Sequence, residues 1–186
     1  MYLTDETDQR RLNFYRRLMN VLLTIFLSIV FCSAMAMALL AAVAFVQNEK
    51  FFSSAPKEVQ KVIQPRENEL FYGARKIGWA MMIISLLLVL GVGVISIWDG
   101  FRNNFTFLQF FIRFVIIFTV YKLADMVLID YFLLLKFKFF QYYYPEASGL
   151  LEGKKYGFNI RSQLLKLFVI FPAVCALVAW ICTLFQ

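Results

Sequence analysis

The apolar run at residues 104–135 constrains the fold of this chain more than any other feature of the sequence. As one helix it would extend roughly 48 Å, at about 1.5 Å per residue, whereas the hydrocarbon layer of a bilayer is about 30 Å thick. Charged residues interrupt the run, namely Arg113, Lys122, Asp125 and Asp130. Because a charge facing lipid is costly, these side chains should be shielded by protein or lie near the headgroups. They are therefore the first candidates for an intramembrane polar site.

The composition of the whole chain agrees with a bilayer as its solvent. Of the 186 residues, 61% are hydrophobic and 17% are charged, against about 45–50% and about 25% in soluble domains. We therefore expect an all-α polytopic membrane protein, a four-transmembrane-helix bundle with a long third helix, in a single domain over 1–186. The predicted spans are 20–46, 78–98, 104–135 and 164–185, and the polar loops are 47–77 and 136–163. The short connection at 99–103 predicts that the second and third spans are antiparallel neighbours.

The charge balance and the missing residue types exclude several functions. A net charge of +7 in a chain without a polar domain favours attraction to anionic headgroups over binding to nucleic acid. The absence of histidine removes histidine-based triads and most zinc or haem ligation, so no metal or cofactor is predicted. Cys32, Cys175 and Cys182 form no CxxC motif and are interpreted as packing residues, with the last two on one helix face.

The charges of the third span divide into a pair and an isolated carboxylate. Lys122 and Asp125 are three residues apart, so they can pair on one helix face. Asp130 lies about 140° around the helix from Asp125 and has no base three or four positions away. Three interpretations remain open for these residues: an interfacial position beyond a membrane boundary near Tyr121, a buried structural ion pair, or an ion or proton site.

A second candidate site follows the third span, where lysines alternate with aromatic residues at 136–144. Base stacking beside phosphates is one interpretation, but next to a span this pattern is more typical of an interfacial aromatic belt with lysines reaching the headgroups. The candidate lipid- or partner-binding loop comprises Lys136, Lys138, Tyr142, Tyr143, Tyr144, Lys154 and Lys155.

Other local patterns predict how the helices begin and pack. Within residues 1–19, Thr4 with Thr7, or Asp5 with Asp8, can cap a short amphipathic helix whose Leu12, Tyr15 and Leu18 would rest on the interface. Small residues that would let a neighbouring helix approach closely occur in the first span at Ala34, Ala38 and Ala42. The small positions of the second span are Ser85, Gly91, Gly93 and Ser96, and its two glycines are two apart, so they do not meet the GxxxG geometry. Pro172 is expected to kink the fourth span.

Short motifs recur in an order that resembles an uncharacterised family of small bacterial four-span integral membrane proteins. They are Pro56, Glu58, Val59 and Gln60, then Asp130 and Tyr131, then Pro145, Glu146 and Gly149, then Tyr156, Gly157 and Phe158. Tyr131 and Asn159 depart from the family pattern, which has Trp and His there. The resemblance implies a multi-pass protein of the cell (plasma) membrane, and it supplies no activity.

Three functional hypotheses follow from these patterns. The first is a non-enzymatic subunit, scaffold or accessory factor whose basic aromatic loops bind anionic lipid or a membrane-protein partner, because no nucleophile is assembled with a base. The second is a small ion- or proton-coupled transporter, a homo-oligomer that uses Asp125 and Asp130 with a nearby base. The third is a membrane-embedded lipid-modifying enzyme with Asp130, Glu146 and Glu152 around a metal.

Overall fold

The computed structural model describes residues 3–48, 61–62, 69–151 and 160–186, and throughout these ranges the regular structure is helical. The helices are α1 (Leu3–Leu40), α2 (Ala74–Arg102), α3 (Phe107–Ala124), α4 (Phe139–Tyr143), α5 (Ser148–Leu151), α6 (Ile160–Leu165) and α7 (Phe171–Leu184). π-helical segments continue α1 (Ala41–Val46), continue α3 (Asp125–Lys136) and join α6 to α7 (Lys166–Ile170), and a 3-10 turn spans Pro145–Ala147.

Three of the described helical stretches are long and apolar enough to cross a bilayer. They are Gln9–Val46, Ala74–Arg102 and Gln163–Leu184. The membrane character predicted from composition is therefore confirmed at this level. The predicted span at 104–135 is not among the three, so the count of four spans stays a prediction.

The packing order of the long helices is α2, α1, α3, α7. α1 packs along both α2 and α3, and α7 packs along α3. α2 and α3 make few backbone contacts with each other, because α1 contacts both of them. The expected antiparallel neighbours thus share a turn but not an extensive interface.

Side-chain contacts set the register of α1 against its two neighbours. Val92 of α2 and Ile117 of α3 both pack against Leu27 and Phe31, and these residues form one buried cluster. Near the start of α2, Gly78 lies against the end of the first helix. α2 therefore runs antiparallel to α1, whereas α3 runs parallel to it.

A second buried cluster joins α3 to α7. Its fully or nearly buried members are Phe105, Phe110, Phe114, Cys175, Ala179 and Cys182. The two cysteines are free thiols on the face of α7 that contacts α3, which confirms the interpretation of the pair as packing residues.

The close approaches at glycine in the described residues occur at Gly78 and Gly100. A Cβ added to Gly78 would lie 2.7 Å from Phe45 Cβ, and one added to Gly100 would lie 2.5 Å from Phe110 Cζ. A Cβ at Gly91 or Gly93 would have no neighbour within 4 Å. These two glycines face open space and are not positions of close helix approach.

The N-terminal region differs most from its prediction. α1 is unbroken from Leu3 to Leu40, so residues 1–19 do not form a separate interfacial helix in the part that the structure describes. Every described side chain at positions 9–19 is exposed, and Thr24 is the first buried residue among the described side chains of α1. The helix therefore continues past the point where the bundle begins.

Pro172 lies in the first turn of α7, directly after the π-helical segment Lys166–Ile170. A proline inside a helix removes one backbone donor and crowds the preceding turn, and a wider π turn accommodates both effects. The kink expected at Pro172 stays a prediction.

Candidate functional site

Arg113 forms a buried ion pair that bridges α3 and α2. Its Nη1 donates to Asp99 Oδ2 at 2.7 Å and to the Ser96 carbonyl oxygen at 3.3 Å. The guanidinium carbon lies 4.4 Å from the centroid of the Phe105 ring. Arg113 is 3% exposed, so its charge is neutralised within the protein and not by solvent.

A capping box fixes the start of α3 and hence the direction in which Arg113 points. The Gln109 side-chain oxygen accepts a hydrogen bond from the Thr106 backbone amide at 2.8 Å, and Thr106 caps the helix in return. This reciprocal arrangement satisfies donors that a helix N-terminus otherwise leaves unpaired. Arg113 then lies two turns into α3, on the side that faces the last turns of α2.

Two polar atoms beside this pair have no hydrogen-bond partner among the described residues. They are Arg113 Nη2 and Ser96 Oγ, and both are buried. Leaving a buried donor or acceptor unsatisfied costs about 1–3 kcal/mol. The polar cluster of Arg113, Asp99 and Ser96 therefore retains hydrogen-bonding capacity that the fold itself does not use.

Lys122 and Asp125 form the second ion pair of α3, as their spacing predicted. Lys122 is 5% exposed, and the Asp125 side chain is 17% exposed. Asp125 is also the first residue of the π-helical segment. π turns are often found at functional sites. Of the two ion pairs, the one between Lys122 and Asp125 is therefore the stronger candidate for a functional role.

A small cleft of about 160 Å³ lies between α1 and α3 next to this pair. Its lining residues are Cys32, Ser33, Ala36, Tyr121, Ala124, Asp125 and Leu128. Residues 32–36 lie near the middle of the charge-free run 20–46 of α1. The contact with this part of α1 favours a pair shielded at depth over one that leaves the membrane near Tyr121.

The structure does not place every candidate residue. The backbone of Asp130 lies within the π-helical segment, but its side chain is outside the described residues, as are Lys154 and Lys155. Glu152 and the motifs at 56–60 and 156–158 also fall outside the described ranges. The roles predicted for these residues stay predictions.

The aromatic loop after α3 divides into a buried half and an exposed half. Tyr144 is fully buried and stacks on Phe140 with ring centroids 5.1 Å apart, so it is a core residue and not part of a binding surface. Tyr142 is 79% exposed, and Lys136 and Lys138 are exposed as well. Tyr143 is half-buried, with its ring against Phe139 and Tyr142. The expected surface is therefore smaller than the sequence pattern indicated.

Sequence reasoning missed the partner of Arg113. Asp99 was assigned to the connection between two spans, whereas it lies in the last turn of α2. The available signal was an acidic and a basic residue on opposite sides of a short connection, since a tight turn brings such residues together.

Comparison with known protein families, characterised proteins and solved structures finds no match for this chain. The resemblance to small four-span bacterial proteins therefore stays a prediction.

Proposed function

We propose that this chain is a multi-pass protein of the plasma membrane that acts as a non-enzymatic subunit or scaffold. The proposal rests on two ion pairs. Asp99 of α2 pairs with Arg113, and Asp125, which directly follows α3, pairs with Lys122. The Arg113 pair joins α3 to α2, and the Lys122 pair neutralises a charge within one helical stretch. Removing one partner of either pair leaves an uncompensated charge. Such residues stabilise a platform without performing chemistry.

The proposal includes four spans, with α3 and its π-helical continuation as the third. α3 lies between α1 and α7, both of which are apolar enough to cross a bilayer. Its charged side chains at Arg113 and Lys122 are buried against protein and not presented to lipid. A helix placed in this way can cross hydrocarbon despite its charges, because its neighbours shield them.

Lipid is expected to cover most of the remaining surface. Large apolar side chains are exposed along every long helix, among them Leu87 and Val94 of α2 and Leu177 and Trp180 of α7. An isolated soluble protein rarely exposes contiguous apolar surface on this scale. The anionic-lipid contacts proposed for the basic loop are limited to Lys136 and Lys138 among the described lysines.

The experiment that tests the proposal compares ion flux with complex formation. The full chain is reconstituted into liposomes, and proton, sodium and potassium flux are followed with dyes under an imposed gradient. We expect flux no greater than in protein-free liposomes, and we expect the chain to be isolated from native membranes in a complex larger than a lipid-solvated single copy. Specific flux, or isolation only as a single copy, would contradict the proposal.

A second function is favoured by one specific observation, the cleft beside Asp125. A carboxylate paired with a lysine and next to a cleft is the arrangement that a proton-coupled transporter would use. This alternative predicts flux that is lost in Asp125→Asn and retained in Ser33→Ala, a matched substitution in the same cleft. The lipid-modifying hypothesis has no comparable observation, since Glu152 and the Asp130 side chain lie outside the described residues.

A further inference from the structure

The N-terminal part of α1 projects beyond the helical bundle. We call residues 3–19 the arm, and at about 1.5 Å per residue it extends roughly 25 Å. None of its described side chains is buried, whereas Leu27 and Phe31, farther along α1, pack against α2 and α3. The arm therefore belongs to the same helix as the first span, and its described side chains are exposed and not packed in the core of the bundle.

The polar turn between α2 and α3 marks the level at which the arm leaves the bundle. Arg102 lies over the Trp98 ring with its guanidinium carbon 5.5 Å from the centroid, an arrangement typical of the headgroup region. α2 is antiparallel to α1, and Val92 packs against Leu27 and Phe31, so the end of α2 lies near position 20 of α1. Residues 3–19 consequently extend from the headgroup level away from the bilayer.

The arm and the adjoining span share an exposed apolar face, and we call one row of it the seam; Phe14, Leu18, Val21 and Ile25 are exposed on the same face beside this row. Its members are spaced alternately by three and four residues and are each more than half exposed: Leu12, Tyr15, Met19, Leu22, Phe26 and Ile29. This is the spacing of a and d positions in a coiled coil. The residues of α1 that pack on the bundle, Thr24, Leu27, Ser28 and Phe31, lie on the opposite face.

Lipid can cover the seam residues that lie within the bilayer, such as Phe26 and Ile29, but not those on the arm, Leu12 and Tyr15. Within the bilayer an exposed Phe26 or Ile29 has acyl chains around it and requires no protein partner. Leu12 and Tyr15 lie about 7–12 Å beyond position 20 at about 1.5 Å per residue, and the unbroken helix prevents the arm from bending down onto the surface. Apolar side chains displayed at regular spacing on a rigid helix outside the bilayer are typical of a binding surface.

The charges that flank the seam identify the kind of partner. Arg11 and Arg16 occupy the positions beside the seam, equivalent to g and e of the heptad, and both are exposed. A second copy in the same membrane orientation would place Arg11 of one helix opposite Arg16 of the other, which is repulsive. A helix with acidic residues at the corresponding positions would instead be attracted.

We propose that the seam binds a helix of a partner membrane protein, and this proposal rests on the scaffold function proposed above. The partner helix runs parallel to α1, is apolar within the bilayer and carries acidic residues just outside it. The partner helix would bury Leu12, Tyr15 and Met19 on the arm and place its carboxylates against Arg11 and Arg16. The proposal names a surface and a partner chemistry that the ion pairs of the bundle do not involve.

The test uses the full chain in nanodiscs of phosphatidylcholine with two designed membrane-spanning peptides as probes. Both peptides carry leucine at a and d positions and extend beyond the bilayer, one with glutamate and the other with lysine at the e and g positions of the extension. Binding is measured by energy transfer between the labelled chain and the labelled peptide. We expect the glutamate peptide to bind at least roughly tenfold more tightly at low salt, with the preference falling as salt rises.

Variants with matched controls locate the binding surface. Arg11→Glu with Arg16→Glu should reverse the peptide preference, whereas Arg10→Glu with Arg17→Glu, the same charge change on the opposite face of the arm, should retain it. Tyr15→Asp should weaken binding of the glutamate peptide, and Phe14→Asp should not. Both aromatic positions are exposed to a similar extent, so neither substitution removes core packing.

Three results would overturn the proposal. They are equal affinity for the two peptides, energy transfer between two copies of the chain that Tyr15→Asp abolishes, and binding only in discs that contain phosphatidylglycerol. The second result would assign the seam to self-association and the third would assign the arm to anionic lipid. Failure of the proposed function is distinguished from failure of this proposal, because it would appear as ion flux or as isolation of a single copy from native membranes.

Discussion

Replacing Gly100 by alanine tests the tightest helix contact in the structure. A Cβ at this position would lie 2.5 Å from Phe110 Cζ and closer still to Cε1. The Phe110 ring is fully buried and has Phe101, Phe105 and Phe114 as ring neighbours. The ring can give way only by displacing these neighbours, so the added methyl group cannot be accommodated cheaply.

The expected cost follows from two opposing effects. Overpacking a well-packed core destabilises by about 1–3 kcal/mol. Alanine in place of glycine inside a helix stabilises by about 1 kcal/mol because less backbone entropy is lost on folding. The free energy of unfolding of Gly100→Ala should therefore fall by up to about 2 kcal/mol.

Gly91→Ala is the matched control, because a Cβ there meets no atom within 4 Å. It should leave the free energy of unfolding unchanged or raise it by up to about 1 kcal/mol. Unfolding is followed by circular dichroism as sodium dodecyl sulfate is titrated into mixed micelles. In addition, Phe110→Leu should remove most of the difference between the two alanine variants. Equal stability of Gly100→Ala and Gly91→Ala would refute the packing argument.

Three further substitutions probe the ion pairs and the second close approach, with stability measured by the same titration. Asp99→Asn should lower the free energy of unfolding by about 3 kcal/mol, because Arg113 is left buried without a counter-charge. The double variant Asp99→Leu with Arg113→Met should lose less stability than this single variant. A larger loss in the double variant would contradict the expectation. Lys122→Met should likewise be partly rescued by adding Asp125→Leu, and a strictly additive loss would show that the pair is not coupled. Gly78→Ala should lower the free energy of unfolding more than Gly100→Ala does, since its Cβ would approach backbone as well as side-chain atoms at the end of the first helix. A smaller loss of stability in Gly78→Ala would contradict the expected rigidity of that contact.

The two ion pairs differ in what they do for the fold. The Arg113 pair joins two helices close to their connecting turn, so it fixes how α3 leaves α2. The Lys122 pair lies within one continuous helical stretch and neutralises a charge beside a cleft. Of the two paired carboxylates, Asp125 is the one that borders the described cleft, which is why the transporter alternative depends on it.

Relations within a single helix were predictable from the sequence. The Lys122 and Asp125 pair and the shared face of Cys175 and Cys182 follow from the helical repeat of 3.6 residues, which places residues three, four or seven apart on one side. The membrane character of the long helices follows as directly, because apolar runs of this length have no other solvent.

Two features were harder to predict from the sequence: α1 continues without a break through residues 3–19, and Tyr144 is buried. Polar residues before an apolar run predict a boundary, yet helical hydrogen bonding continues through the arm without regard to the change of solvent. An aromatic residue beside lysines predicts an interfacial position, and tertiary packing against Phe140 overrides that preference.

By itself, the sequence determined that the described chain is helical and that its long helices are apolar enough to cross a bilayer, because these properties depend on local periodicity and composition. Only the tertiary structure decided that Asp99 is the partner of Arg113, that Gly78 and Gly100 are the close approaches, and that α1 turns its seam away from the bundle. These features depend on which helices are neighbours and in what register, and contacts between residues distant in the chain follow from the packing of all helices together.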